Sequence, residues 1–389
     1  MNRPAMSVRT RFGLACAVAA LAAAFAVPVS RGSTLPAFPL YERYLAIDGA
    51  CAWPRLTVLP GGEISAMVWP NPYHGYIEGA VECWNSTDEG RTWHRTGIPV
   101  PYAPGENRMN LAAGVAADGT YVALVVGWDK RLPATWTAAS SAESDRVGRT
   151  MFRDAHTLDA VPAISHDRGR TWKQFSALVA PRQTTGHALV PYGPIAPLAD
   201  GRLGVMLYGD AVHFYTSRDG GETWQERGHF SENAAHNETA WLRLANGDLY
   251  AASRTAGDAH VDAYRSHDGG ATWQFEGPLT LGGQHPADLI TLPDGRVLLS
   301  YGVRNEGLWA ICERYGDPTA TEWSSPRLLV DLEGSTDDPT AAKPGRDGGY
   351  PCTAVAPSGT LITAYYSRGV PAHYRYHMGV VRWLPEPAK

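Results

Sequence analysis

Six times along the chain, two short apolar runs flank a tight polar turn. The turns read LPGGE at Leu59, AADGT at Ala116, LADGR at Leu198, LANGD at Leu244, LPDGR at Leu292 and APSGT at Ala356. Asp-Gly and Asn-Gly supply the positive φ values that a tight hairpin needs, and flanks such as DLYAASR and RVLLSYG have strand composition. Six β-hairpins are expected.

A second element recurs between them. It is Ser-x-Asp-x-Gly-x-Thr-Trp, read as STDEGRTW from Ser86, SHDRGRTW from Ser165, SRDGGETW from Ser217 and SHDGGATW from Ser266. Short strands flank it, as in DAYRS before and TWQFEG after the last copy. One hairpin plus one octapeptide hairpin makes four antiparallel strands, and six such sheets about an axis make a β-propeller with few exposed edges. The predicted fold is therefore all-β, a six-bladed propeller. A degraded copy, RYGDPTATEW, marks the fifth blade, and the sixth has none. The terminal MGVVRWL is either the last strand of blade six or a strand pairing with the first blade. Within each octapeptide the Asp accepts backbone N–H bonds of its own turn, Gly permits the dihedral, and Trp fills space beneath. One carboxylate per repeat is too few for a calcium loop. The repeat is read as a structural staple.

Composition agrees with this reading. The 389 residues are 44% hydrophobic and include 41 Gly, 29 Pro, 13 Trp and 18 Tyr, the mixture of turn formers and aromatics that short strands require. Net charge is −5 without a run of like charge, so no nucleic-acid partner is expected. In residues 1–30, Arg3, Arg9 and Arg11 precede the apolar FGLACAVAALAAAFAVPV, the pattern of a secretory signal peptide. The mature chain, 31–389, is expected to be a single propeller, secreted or periplasmic, with no membrane insertion. Cys16 lies too early in the apolar run for a lipid-anchored cysteine. Cys51, Cys83, Cys312 and Cys352 remain, an even number compatible with up to two disulfides. No cofactor is implied, and no His/Cys spacing suggests a metal site.

Strand direction alternates within a blade, so the tight hairpins and the octapeptides share one face. The starts of the inner strands and the ends of the second strands share the other, where side chains from several blades converge on a ligand. Arg55, Arg108 with Asn110, His187, His236 to Glu238, His285 with Asp288, and Asp347 with Tyr350 fall at the former positions. Asn71, Asp129, Asp210, Arg254, Arg304 and Arg368 fall at the latter. The insertions 129–160 and 332–349 connect strands at this same end. A mouth rich in Arg with aromatic residues suits a sugar bearing a carboxylate, because guanidinium forks bind carboxylates bidentately.

The octapeptides resemble the BNR repeat, or Asp-box, and the chain resembles the sialidase superfamily along almost its whole mature length. NETAWLRLANGDLYAASR is similar to the segment in which a Glu opens an inner strand and an Arg closes the next, here Glu238 and Arg254. VRNEGLWAICER resembles the segment of another carboxylate-binding arginine, Arg304, and GGYPCTAV that of the nucleophilic tyrosine, Tyr350. The resemblance implies a Tyr350 nucleophile, a Glu238 base and an arginine clamp, the tyrosine exception to two-carboxylate glycosidases. It also meets departures. Ala52 in CAWPRLTVL stands where the first clamp arginine is expected, with Arg55 three residues on. His74 and Glu78 are the candidates nearest to the acid/base position.

These residues predict a secreted glycoside hydrolase acting on a terminal, acidic sugar other than a standard sialic acid. Tyr350, Glu238, Glu78 and His74 are the catalytic candidates. Arg254, Arg304, Arg55, Arg108, His187, His285 and Asp288 are the substrate-binding candidates. A non-catalytic glycan-binding propeller and a propeller polysaccharide lyase are the alternatives.

Overall fold

Each predicted hairpin forms, and the sheets that contain them account for the architecture. The computed structural model describes residues 40–387 apart from 74–76, 130–131, 134, 138, 141–142, 144–145, 148–155, 179–187, 234, 258, 306–307, 333–347 and 371–372. The expected signal peptide and His74, His187 and Asp347 lie outside the described residues, as does most of the insertion 332–349.

Among the described residues there are six four-stranded antiparallel sheets. Their inner strands are Arg55–Val58, Asn110–Val115, Val190–Pro197, His236–Arg243, Gln284–Thr291 and Gly349–Val355. Blades two and three are joined by a short parallel pairing of inner strands, Gly193 with Ala112 and Pro194 with Ala113. Gly114 makes that approach possible, since a Cβ there would stand 1.7 Å from the Ile195 carbonyl oxygen. A separate apolar cluster fills each of the six blade junctions, including that between blades six and one, where Leu56 and Ile64 pack with Ile362 and Val380. The ring is closed.

Its closure resolves the question left by the C-terminus. MGVVRWL lies in the third strand of blade six, His373–Trp383, and the N-terminal strand Tyr41–Asp48 pairs antiparallel with it as the outermost strand. The chain thus fastens its first strand to its last blade. Cys51, Cys83, Cys312 and Cys352 correct the disulfide expectation, for all four are buried thiols outside any disulfide among the described residues. Burial pushes Cys312 up to about 11 and Cys352 to about 12, so both stay protonated. Among the described residues no helix is long and apolar enough to cross a membrane.

The octapeptide works as predicted and also joins blades. In the first copy the Asp88 carboxylate accepts the Thr92 N–H at 2.9 Å and its hydroxyl at 2.7 Å, Ser86 Oγ accepts the Gly90 N–H, and Trp93 Nε1 donates to the Gly90 carbonyl. Partial desolvation alone would raise these carboxyls, but the Thr and Ser donors outweigh it and hold Asp88, Asp167 and Asp268 at about 2. In the degraded copy Asp317 still accepts the Thr321 and Glu322 N–H groups. The repeated Gly has a further role. A Cβ at Gly270, where φ is +89°, would lie 2.2 Å from Phe214 of the preceding blade. Each turn therefore presses its backbone into the neighbouring core.

Candidate functional site

The mouth end of the ring brings three of the expected residues into direct contact. Tyr350 Oη lies 3.1 Å from both carboxylate oxygens of Glu238 and accepts a 2.8 Å bond from Arg254 Nη1. The same Arg254 nitrogen donates to Glu238 Oε2. Glu238 is 5% and Tyr350 7% exposed, so the cluster is largely shielded from water.

Local backbone irregularities aim these side chains. The pairing of the inner strand of blade four slips between His236 and Thr239, which sets Glu238 in a bulge, and that of blade six slips between Gly349 and Cys352, which does the same for Tyr350. Bulges re-aim side chains and recur beside active sites. Glu238 is braced on both sides. His236 Nε2 meets Asp262 Oδ2 at 2.7 Å, Thr239 Oγ1 meets Ser253 Oγ at 2.7 Å, and Asn237 Oδ1 accepts the Glu238 N–H. Tyr350 carries a φ of +52°, a left-handed conformation that costs a bulky residue on the order of 1–3 kcal/mol.

Arg304 sustains that conformation. Its Nε and Nη2 both donate to the Gly348 carbonyl, at 3.0 and 2.6 Å, Nη2 reaches Tyr366 Oη at 3.3 Å, and the guanidinium lies 5.8 Å from the Tyr350 ring centroid. The family resemblance implies a substrate-clamp role for Arg304. The structure engages it with the turn that presents Tyr350.

Other candidates are placed differently. Arg55 and Asp288 form a 2.8 Å ion pair, and Asp288 Oδ2 accepts the Thr353 N–H at 2.8 Å, three residues beyond Tyr350. Asp288 is the fifth residue of its inner strand and not its start, because the strand begins earlier and contains a bulge between Gln284 and Ala287. The pair therefore supports the inner strand that carries Tyr350. Arg108 belongs to a two-residue strand pairing parallel with Gly79–Ala80, and it bonds the Asp159 carbonyl at 3.1 Å and approaches Glu106. Glu78 Oε1 accepts the Gly105 N–H at 2.7 Å, fixing a loop. His285 lies on Gln284–Thr291, with its side chain outside the described set.

Tyr350 sits in an aromatic-rich shell that no sequence motif announces. Cys51, Ala52, Trp69, Met109, Tyr350, Tyr366 and Tyr376 form one buried cluster, against which Trp53, Trp128 and Tyr192 pack. Ala52 and Trp53 are both left-handed, with φ of 70° and 46°, and this turn brings the Trp53 ring to 6.0 Å from that of Tyr350. No sequence signal announced this turn, since a residue before proline ordinarily takes extended backbone. Burial, reinforced by the negative charge of Glu238, pushes the Tyr192 phenol well above 10, so Tyr192 is a neutral hydroxyl near Glu238 and Tyr350. Arg368 lies 5.5 Å from the Tyr376 ring centroid. It occupies in blade six the second-strand end that Arg304 and Arg254 hold in blades five and four.

Comparison with known proteins follows the same lines. Residues 146–315 match the BNR repeat-like domain family. No curated protein matches the sequence. A protein of unknown function from Dyadobacter fermentans superposes with a TM-score of 0.67 at 21% identity, covering 88% of this chain and 98% of that one. The intramolecular trans-sialidase of Ruminococcus gnavus, solved with oseltamivir carboxylate, superposes at 0.60 with 15% identity, covering 86% and 94%. The chain thus carries a BNR repeat-like segment and shares its fold with sialidases. The Penicillium chrysogenum α-L-arabinanase, solved with arabinobiose, also superposes, at 0.54 with 14% identity, covering 87% and 98%. The fold of this chain is thus shared by enzymes named for different sugars, and its own chemistry must be read from its site.

Proposed function

We propose that this protein is an exported glycoside hydrolase that cleaves a terminal acidic sugar through a tyrosine nucleophile. The observation that carries the reading is the 3.1 Å contact of Tyr350 Oη with both oxygens of Glu238, with Arg254 bonded to the same hydroxyl. An unassisted phenol titrates near ~10 and is a weak nucleophile at neutral pH. Glu238 takes the Tyr350 proton as the phenolic oxygen attacks the anomeric carbon, and Arg254 stabilises the charge that develops on that oxygen. The bond to the leaving sugar breaks, and its oxygen is protonated by an acid contributed from the mouth. Water then attacks the anomeric carbon and gives a proton to the conjugate base of that mouth acid, while Tyr350 departs as phenolate and regains its proton from Glu238. A neutral phenol also avoids setting a carboxylate nucleophile against an anionic substrate.

Two further residues support substrate recognition. Arg368, at the equivalent end of the next blade but one from Arg254, supplies positive charge for the sugar carboxylate. Trp53 offers an aromatic face beside Tyr350. Ala52, buried and without a polar group at the expected position of an arginine, supports a substrate other than a standard sialic acid. Export rests on the basic, then apolar, first thirty residues.

Incubation with a panel of oligosaccharides ending in different acidic sugars, followed by mass spectrometry, tests the proposal. Release of a saturated terminal acidic monosaccharide is expected. Glycan binding without any product would leave a lectin-like propeller, and an unsaturated product would identify a lyase.

A further inference from the structure

On the outer edge of blade three, away from Tyr350 and Glu238, two histidines and a glutamate converge. His213 lies on the strand Val212–Ser217 and is the direct cross-strand partner of His229 on the outermost strand Gln225–Phe230. Glu226 Oε1 stands 3.0 Å from Nδ1 of His213 and 3.0 Å from Nδ1 of His229. The histidine ring centroids are 5.6 Å apart. On a regular strand Glu226 and His229, three residues apart, would face opposite sides of the sheet. Here the register slips between Phe214, opposite Gly228, and Tyr215, opposite Glu226, so Arg227 is an extra residue. The bulge returns Glu226 to the histidine face.

The other blades act as an internal control. The same slip occurs in blade four, where Ala263 faces Gly277 and Tyr264 faces Phe275, and in blade one, where Cys83 faces Gly97 and Trp84 faces Arg95. At the positions of His213, Glu226 and His229, blade four carries Asp262, Phe275 and Pro278, and blade one carries Glu82, Arg95 and Ile98. The bulge is thus a property of the blade, whereas this donor set belongs, among these three, to blade three.

We propose that His213, Glu226 and His229 form a binding site for a zinc-class divalent transition metal. Two imidazoles and one carboxylate are the donor types that zinc accepts, with a water completing a tetrahedron. The ligand-bearing atoms of the three residues lie within 4.8 Å of one another. Ligands about 2.0–2.1 Å from one ion are on the order of 3.3 Å apart, so binding requires only small side-chain adjustment. Asp210 supplies the outer shell, with Oδ1 3.4 Å from His213 Nε2, where a carboxylate orients a ligating imidazole. Access is open from the edge, since the side chains of His229 and Glu226 are 50% and 36% exposed, while that of His213, at 12%, anchors the site. The ion clips the outermost strand of blade three to its neighbour. Nothing in the sequence spacing announced this site, because register and bulge together create it.

Untagged, chelator-treated full-length protein titrated with Zn²⁺ by calorimetry tests the proposal, with Co²⁺ absorption as the reporter of coordination. One ion per chain, an intense four-coordinate Co²⁺ spectrum and a rise in melting temperature with Zn²⁺ but not Mg²⁺ are expected. His229→Ala, at an exposed position, and Glu226→Gln should each weaken binding at least about tenfold, and Asp210→Asn about 10–100-fold. Melting of the metal-free variants alongside wild type separates lost ligation from lost folding. Zinc binding that is undetectable in wild type, or unchanged in both His229→Ala and Glu226→Gln, would overturn the site.

Discussion

Tyr350 Oη is equidistant, at 3.1 Å, from the two carboxylate oxygens of Glu238, although the residues are 112 positions apart in the chain. Only closure of the ring brings them together, blade six presenting one and blade four the other. With Arg254 bonded to both, the three form a compact unit, to which the proposed function assigns the removal and return of a phenolic proton.

This unit predicts the first outcome. Glu238→Gln is expected to lower kcat by about 10²–10⁴, the range for a positioned general base. Tyr350→Phe should lower it at least as far. Circular dichroism melting checks that both variants remain folded.

Arg304 is expected to behave as a positioning residue. Arg304→Ala releases the Gly348 carbonyl and the turn that holds Tyr350 at positive φ, so kcat should fall more than KM rises. Stability should drop by about 1.5–3 kcal/mol, the usual value of charge-assisted hydrogen bonds. A lysine there cannot donate through a guanidinium fork and should restore only part of the loss. Steady-state kinetics combined with denaturant melts separate this role from a direct substrate contact, which would appear mainly in KM.

Trp53 is expected to act on binding. Trp53→Ala should raise KM by about 2–12-fold, equivalent to about 0.5–1.5 kcal/mol of aromatic contact, with kcat little changed. Kinetics on the substrate found in the oligosaccharide panel checks this.

The octapeptides predict an acid transition. Asp88, Asp167 and Asp268 titrate at about 2 when folded, against about 3.9 for an unfolded Asp, because the Thr and Ser donors overcome partial desolvation. The depressed folded value means that their stabilisation is complete above about pH 4 and is lost as pH falls towards 2. Melting temperature followed from pH 6 to pH 2 should drop most steeply in that window. An Asp88→Asn variant should melt lower at pH 6 and lose less on acidification.

The sequence carried the blade architecture because it is written locally, whereas the central pair came from strand direction together with the family resemblance. Each Asp-Gly turn and each Ser-x-Asp-x-Gly-x-Thr-Trp encodes its own geometry, and strand alternation then assigns Glu238, Arg254 and Tyr350 to one end. Features that depend on register were not legible. The bulges at Glu238 and Tyr350, the engagement of Arg304 with Gly348, and the depth of Asp288 in its strand all follow from slips of one or two residues between paired strands. The fastening strand Tyr41–Asp48 was hidden for a related reason, since its partner lies at the opposite end of the chain. Paired cysteines suggested disulfides, but the fold placed each thiol in separate apolar surroundings.

The most direct test of the tyrosine mechanism is trapping of the glycosyl enzyme with a slowly hydrolysed fluorinated acidic glycoside, followed by peptide mass spectrometry. A covalent sugar on the peptide containing Tyr350, absent from Tyr350→Phe and strongly reduced in Glu238→Gln, is the predicted result. Turnover of the same glycoside with the label on another residue, or undiminished turnover by Tyr350→Phe, would contradict it.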